Sequence, residues 1–142
     1  MPIRCEIVSQ DRIVFSGDVD IVVIPGADGM MGILPDHSPV LTTIQFGIIT
    51  VRGKEGEQFF TVAGGIAEVQ PDQVTILADA AENIVEIDIQ RAEEAKKRAE
   101  EMLAKEPATA DQDLAIQSAL RRSTLRIDAV RRYRERSQFR SS

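Results

Sequence analysis

A sandwich or flattened barrel of antiparallel strands over residues 1–86, followed by an antiparallel helical hairpin over 87–142, is the α+β architecture this sequence predicts. Three observations carry it. From Ile3 to Asp79 short β-branched runs alternate with turn residues, the pattern of a many-stranded antiparallel sheet rather than of strands separated by helices. At Ile87-Asp88-Ile89-Gln90-Arg91-Ala92 the hydrophobic period changes from two to that of a helix. The charge balance reverses at the same point: residues 1–87 hold four basic and thirteen acidic side chains, whereas residues 88–142 hold thirteen basic and ten acidic.

Taken in order, the runs Ile3 to Val8, Arg12 to Phe15, Val19 to Ile24, Gly47 to Arg52, Gln58 to Val62, Ile66 to Val69 and Val74 to Leu77 each fit a short strand. Ser9-Gln10-Asp11, Ser16-Gly17-Asp18, Gly53-Lys54-Glu55-Gly56 and Pro71-Asp72-Gln73 read as turns, and the last two suit hairpins. Pro25 to Pro39 breaks the rhythm with three glycines and three prolines in fifteen residues, which specifies a fixed path. No Gly-Lys-Ser/Thr and no helix follows it, so a phosphate loop is disfavoured. Met30 and Met31 at its tip offer a flexible apolar contact surface, or one packs inward and the other is merely exposed.

Chemistry-bearing residues are scarce. His37 is the only histidine and Cys5 the only cysteine, so neither a zinc site nor an internal disulfide has its ligands. Pairing with Asp36 or capping of the loop is the expected role of His37. Ser38 beside it lacks a nucleophile elbow, and the alternation of Asp18-Val19-Asp20 turns both carboxylates to solvent. An enzyme is therefore disfavoured. No run reaches the roughly 18 apolar residues of a membrane span, and Met1 to Arg12 lacks a secretory core. Any membrane association is expected to come through a partner.

In the second part, Asp88 predicts the N-cap of a helix running to about Lys105, with Ala92, Ala95, Ala99 and Met102 or Leu103 as its inward stripe. Glu106-Pro107-Ala108-Thr109-Ala110 breaks it, and Asp111 or Asp113 is the expected cap of a second helix with Ile116, Leu120, Ile127 and Val130 on one side. Residues 114–142 hold eight arginines against Asp128 and Glu135, a basic face suited to an acidic surface, to nucleic acid or to bound phosphate. Only Tyr133 and Phe139 are there to stack on bases, which weakens the alternative of a nucleic-acid-binding module. With so few large apolar residues, the hairpin is expected to dock marginally and to move. Asp88 and Arg91 either start the helix or hold a ligand, and spacing alone leaves both open.

Four segments together resemble the epsilon subunit of F-type ATP synthases: Pro25-Gly26-x-x-Gly29-x-Met31-Gly32-Ile33-Leu34-Pro35-x-His37-x-Pro39-Val40-Leu41-Thr42, Gly64-Gly65-Ile66-x-Glu68-Val69, Val74-x-Ile76-Leu77-Ala78-Asp79-x-Ala81-Glu82, and Asp88-x-x-Arg91-Ala92. The resemblance covers nearly the whole chain. It implies a non-catalytic subunit of the rotating central stalk of a proton-translocating enzyme, peripheral on the cytoplasmic face of the cell membrane. Its implied partners are the gamma subunit, the c-ring and the α and β subunits, with no nucleic acid. The loop with Gly29, Met30 and Met31 would touch the c-ring or gamma, with His37 close behind. Some members have an acid where Met30 stands, so the contact here would be apolar. No cofactor is required, but ATP is implied as a regulatory ligand of Glu82, Asp88, Arg91, Arg98, Arg122 and Arg126, holding the hairpin folded. The extended hairpin would obstruct ATP hydrolysis, with Arg121, Arg131, Arg132, Arg134 and Arg136 against the β subunit.

Overall fold

The structure is a computed structural model that describes residues 2–105 and 109–134. Its strands are β1 (Ile3–Val8), β2 (Ile13–Val19), β3 (Ile21–Gly26), β4 (Gly29–Ile33), β5 (Val40–Gly53), β6 (Gly56–Val69), β7 (Gln73–Ala78) and β8 (Ala81–Asn83). They form one sheet in the order β2-β1-β7-β6-β5-β3-β4, with β8 also paired to β6. All described pairings are antiparallel except β1 with β7. The inward faces of both halves meet in one core that includes Ile3, Cys5, Ile7, Ile24, Ile33, Ile49, Phe60 and Ile76. Period-two alternation explains β1: Ile3, Cys5 and Ile7 point in and are fully buried. Burial pushes the Cys5 thiol up to about 12, with a smaller push from the Glu6 carboxylate and an opposing pull from Arg4. At neutral pH it is a protonated, small hydrophobe.

The sandwich expectation holds, but several boundaries differ. Ser16-Gly17-Asp18 is not a turn; it lies within β2, where Gly17 pairs with Cys5, and the chain bends at Asp20 before β3. Gln58 to Val62 and Ile66 to Val69 are one strand, not two. Gly64 and Gly65, with φ of 111° and 144°, bend β6 between them, and the strand changes partner there from β8 to β7. β5 begins at Val40, well before the expected Gly47, because Val40 to Phe46 continue the pairing with β6. Part of the Pro25 to Pro39 stretch is a hairpin of β3 and β4, whose pairs run from Val22 with Ile33 to Gly26 with Gly29.

A 3-10 turn, Ile84–Glu86, leads to helix α1, Ile89–Ala104. Asp88 caps α1 as expected: its Oδ1 accepts from the backbone N–H of Gln90 at 3.1 Å and of Arg91 at 3.2 Å. Helix α2, Ala110–Ala129, is capped by Thr109 and not by Asp111 or Asp113, because the Thr109 hydroxyl accepts from Gln112 N–H at 3.0 Å. Both aspartates remain in the first turn, where the helix dipole favours them. On α1 only Ala92 and Ala99 are buried; Met102 is half exposed and lies off the inward stripe. On α2 the buried residues are Ser123, Ile127 and Ala129, while Ile116 and Leu120 are only half-buried.

Candidate functional site: the seam between sandwich and hairpin

Helix α2 lies against the sheet near β8, where an ion pair crosses the contact. The Arg126 guanidinium donates from Nε to Glu82 Oε1 at 2.5 Å. Glu82 is on β8, which the turn after β7 folds back onto β6 opposite Thr61. Arg122, one turn before Arg126, donates to its own helix at Ser118 Oγ, 3.3 Å away. Glu82, Arg122 and Arg126, with Thr61, Ala81 and Leu125, line a cleft of about 20 Å³. That is room for about one water.

The structure thus gathers three of the six residues that the resemblance implies for ATP, and it does so around a closed ion pair. The other three do not line this cleft. The Asp88 carboxylate is committed to its helix cap. Arg91 and Arg98 stand exposed on α1, beside the buried stripe of Ala92 and Ala99, and neither forms an ion pair among the described residues. Glu94 and Glu101, the intrahelical partners their spacing offers, form no ion pair with them.

The β3–β4 tip is built by Gly29, whose φ of 126° lets the chain reverse where a side chain would be strained. Met30 is 63 % exposed, while Met31 packs on the core, so the two methionines divide as the alternation of a strand requires. His37 does not pair with Asp36; its Nδ1 bonds the Ser38 carbonyl at 2.8 Å, which places the proton on Nδ1 as donor. It stabilises the loop that follows the tip.

The arginines expected to meet a partner are occupied here. Arg121 lies 4.1 Å over the Phe46 ring, Arg131 pairs with Glu93 at 3.4 Å, and Arg132 is 5.7 Å from the Tyr133 ring. Arg134 donates to backbone carbonyls of the linker. Arg136 lies outside the described residues.

One feature escaped the sequence reading. On the outer sheet face Ile13, Val8, Leu77, Ile66 and Thr43 pair in succession across β2, β1, β7, β6 and β5, with Leu41 alongside. Ile13, Leu41, Leu77 and Ile66 are 67, 71, 56 and 45 % exposed. The signal was present in Ile66-Ala67 and Ile76-Leu77, where apolar residues occupy both faces of a strand. No group of histidine, cysteine and carboxylate residues among the described residues is arranged to hold a metal ion, and no described helix is long and apolar enough to cross a membrane.

Comparison with known proteins agrees with this architecture segment by segment. Residues 2–84 match the family described as ATP synthase, Delta/Epsilon chain, beta-sandwich domain, and residues 86–131 match its long alpha-helix domain. A relative named ATP synthase epsilon chain from Dehalococcoides mccartyi is 41 % identical over 136 residues, covering 96 % of this chain and 97 % of the relative. One of the same name from Pelotomaculum thermopropionicum is 50 % identical over 103 residues, covering 72 % and 76 %. In fold, the chain resembles one in the Euglena gracilis mitochondrial ATP synthase, solved as OSCP/F1/c-ring, with a TM-score of 0.70 at 24 % identity over 84 % of this chain and 76 % of that one. Both family matches together span the sandwich and the hairpin, and so the chain belongs to the ATP synthase delta/epsilon family, as an epsilon-type, non-catalytic stalk subunit.

Proposed function

We propose that this subunit joins gamma to the c-ring in the central stalk of a proton-translocating ATP synthase, on the cytoplasmic face of the cell membrane, and that its hairpin restrains ATP hydrolysis. The observation that carries the regulatory half is the poverty of the seam. The hairpin buries two alanines from α1 and three residues from α2, and its end joins an apolar cluster separate from the sandwich core. Burying an alanine contributes at most about 1 kcal/mol. Release of the hairpin therefore leaves the sandwich core intact, which is what a movable regulatory arm needs.

The attachment half rests on the apolar row from Ile13 to Ile66. Such a row on a lone chain is an interaction surface, and its position on four paired strands makes it rigid. Gamma is its proposed occupant, with the exposed Met30 tip at the c-ring. Leu77→Asp puts a charge in the middle of the row without entering the core, and it is expected to prevent co-purification with gamma while the sandwich melts normally. Retention of the complex by this variant would remove the row from the interface.

ATP is the proposed ligand of the Glu82, Arg122 and Arg126 cleft, with Asp88, Arg91 and Arg98 joining from α1. The nucleotide is expected to displace the Glu82–Arg126 ion pair, since a cleft of about 20 Å³ holds no more than about one water. Its phosphates then replace the carboxylate as partner of the guanidinium groups. Arg126→Ala is expected to abolish the ATP-binding heat of the isolated chain in calorimetry; binding of wild-type affinity would exclude this cleft. When the hairpin extends, Arg121, Arg131, Arg132 and Arg134 leave their present surroundings and, with Arg136, face the β subunit. No observation favours nucleic acid, and the Tyr133 ring that would stack on a base is packed on Phe59 instead.

A further inference from the structure

We infer that Tyr133 and Arg134 form a latch that holds the end of α2 on the linker turn and so controls release of the hairpin independently of the Glu82–Arg126 cleft. The inference rests on the proposed movement of the hairpin and names a second fastener for it.

Helix α2 does not end in an ordinary turn. Val130–Arg134 is a π turn, entered where Val130 N–H is shared between the carbonyls of Arg126 and Ile127. A wider turn rotates the following side chains out of the α-helical series, and such turns recur where a helix must aim particular groups. Here the groups aimed are three. Val130 and Tyr133 join Phe59, Ile84, Ile87 and Ala129 in an apolar cluster of their own. The Tyr133 ring lies 4.8 Å from that of Phe59, tilted by 37°, a separation in the favourable range for aromatic pairs.

Arg134 then closes over the linker. Its Nη2 donates to the Ile84 carbonyl at 2.7 Å and also to the Ile87 carbonyl. These two oxygens bracket the 3-10 turn Ile84–Glu86, which is held internally by Ile87 N–H donating to Ile84 O at 3.3 Å. The next residue is the α1 cap, Asp88. One nitrogen reaches both carbonyls only while this turn keeps its shape, and the same turn sets the direction of α1. The latch thus couples both helices to one backbone conformation: α1 cannot swing without separating the acceptors, and α2 cannot lift without withdrawing the donor. Its acceptors are backbone carbonyls and its other half is apolar, so nothing in it coincides with the cleft residues.

Amide hydrogen exchange on the full-length chain tests this. Arg134→Met keeps the aliphatic stem and removes the donors; Tyr133→Leu keeps an apolar side chain and removes the ring pair. Each variant is expected to speed exchange of the α2 amides on the order of tenfold, the effect of losing charge-assisted hydrogen bonds or a packed ring, while the amides of β1, which lies in the separate sandwich core, exchange as before. Unchanged α2 exchange in both variants would overturn the latch, as would equal acceleration in β1. Tyr133→Leu in the reconstituted complex separates this from the inhibitory reading, because Tyr133 is not one of the arginines proposed to meet the β subunit. Faster α2 exchange with lower hydrolysis supports both. Faster exchange with unchanged hydrolysis supports the latch and overturns inhibition by the hairpin.

Discussion

Gly65→Ala is expected to cost the sandwich about 3 kcal/mol or more, since a strained backbone and a steric clash act at one site. A Cβ at Gly65 would stand 2.3 Å from the Leu77 carbonyl oxygen and 2.8 Å from Ala78 Cα, and the φ of 144° is one that L side chains rarely adopt. Both obstacles are backbone of the neighbouring strand β7, so no rotamer change relieves them. Relief requires Gly65 and Ala78, which are paired, to move apart at the bend where β6 changes partner. For a chain of this size the loss corresponds to a fall in Tm of about 10 °C, measured by thermal denaturation. Gly64→Ala is the informative comparison. Its Cβ would meet the Asp79 carboxylate oxygen at 3.0 Å, a side-chain atom that can turn away, and its φ of 111° leaves only the backbone strain, roughly 1–2 kcal/mol. A Gly65→Ala variant that melts with the wild type would mean that the bend is not built as described.

How far the sequence discloses this molecule depends on whether a feature is local. Strand β1, strand β7 and the start of α1 are legible because their alternation, or the Asp88 cap before a helical period, is written in consecutive residues. The Gly64-Gly65 pair misleads for a physical reason: two glycines ordinarily end a strand, whereas here they bend one that pairing on both sides keeps continuous. Strand β4 hides for a similar reason, since Gly29-Met30-Met31-Gly32 has little β propensity and is a strand only because β3 lies beside it. At α2, the cap went to Thr109 over two aspartates because Thr109 is the residue whose backbone is extended at the helix start, so its hydroxyl meets the free N–H groups, while Asp111 and Asp113 are already in the helix. The seam shows the same limit. Spacing places Arg122 and Arg126 on one face of a helix, and the resemblance adds Glu82, but that Glu82 and Arg126 neutralise each other follows only from how β8 folds back. The π turn that aims Tyr133 and Arg134 leaves no signature at all in the order of residues.

Removal of residues 111–142 is expected to have the largest functional effect, a rise in ATP hydrolysis with assembly preserved. The physical argument has two parts. The truncated chain retains every strand and every residue of the sandwich core, because that core draws only on residues up to Ala81 and those packed on it come from β2, β4 and β5. Its proposed contacts also remain: the outer row of Ile13, Leu77 and Ile66 for gamma and the Met30 tip for the c-ring. What is lost is the whole of α2 and with it the arginines proposed to face the β subunit. Each exposed ion pair contributes only about 0.2–1 kcal/mol, so inhibition requires the row acting together, and no single arginine replacement should reproduce the deletion. The truncation does expose Phe59, Ile84 and Ile87, which α2 covers. A modest loss of stability is therefore expected alongside the gain in hydrolysis, and the two are read separately.

The decisive measurement is the steady-state ATP hydrolysis rate of the reconstituted synthase carrying either the full chain or the chain ending at residue 110, with subunit content verified in each preparation. A higher rate for the truncated complex at equal subunit content is the predicted result. Equal rates in two fully assembled complexes would contradict a hairpin that restrains hydrolysis, and would leave the protein a stalk connector alone.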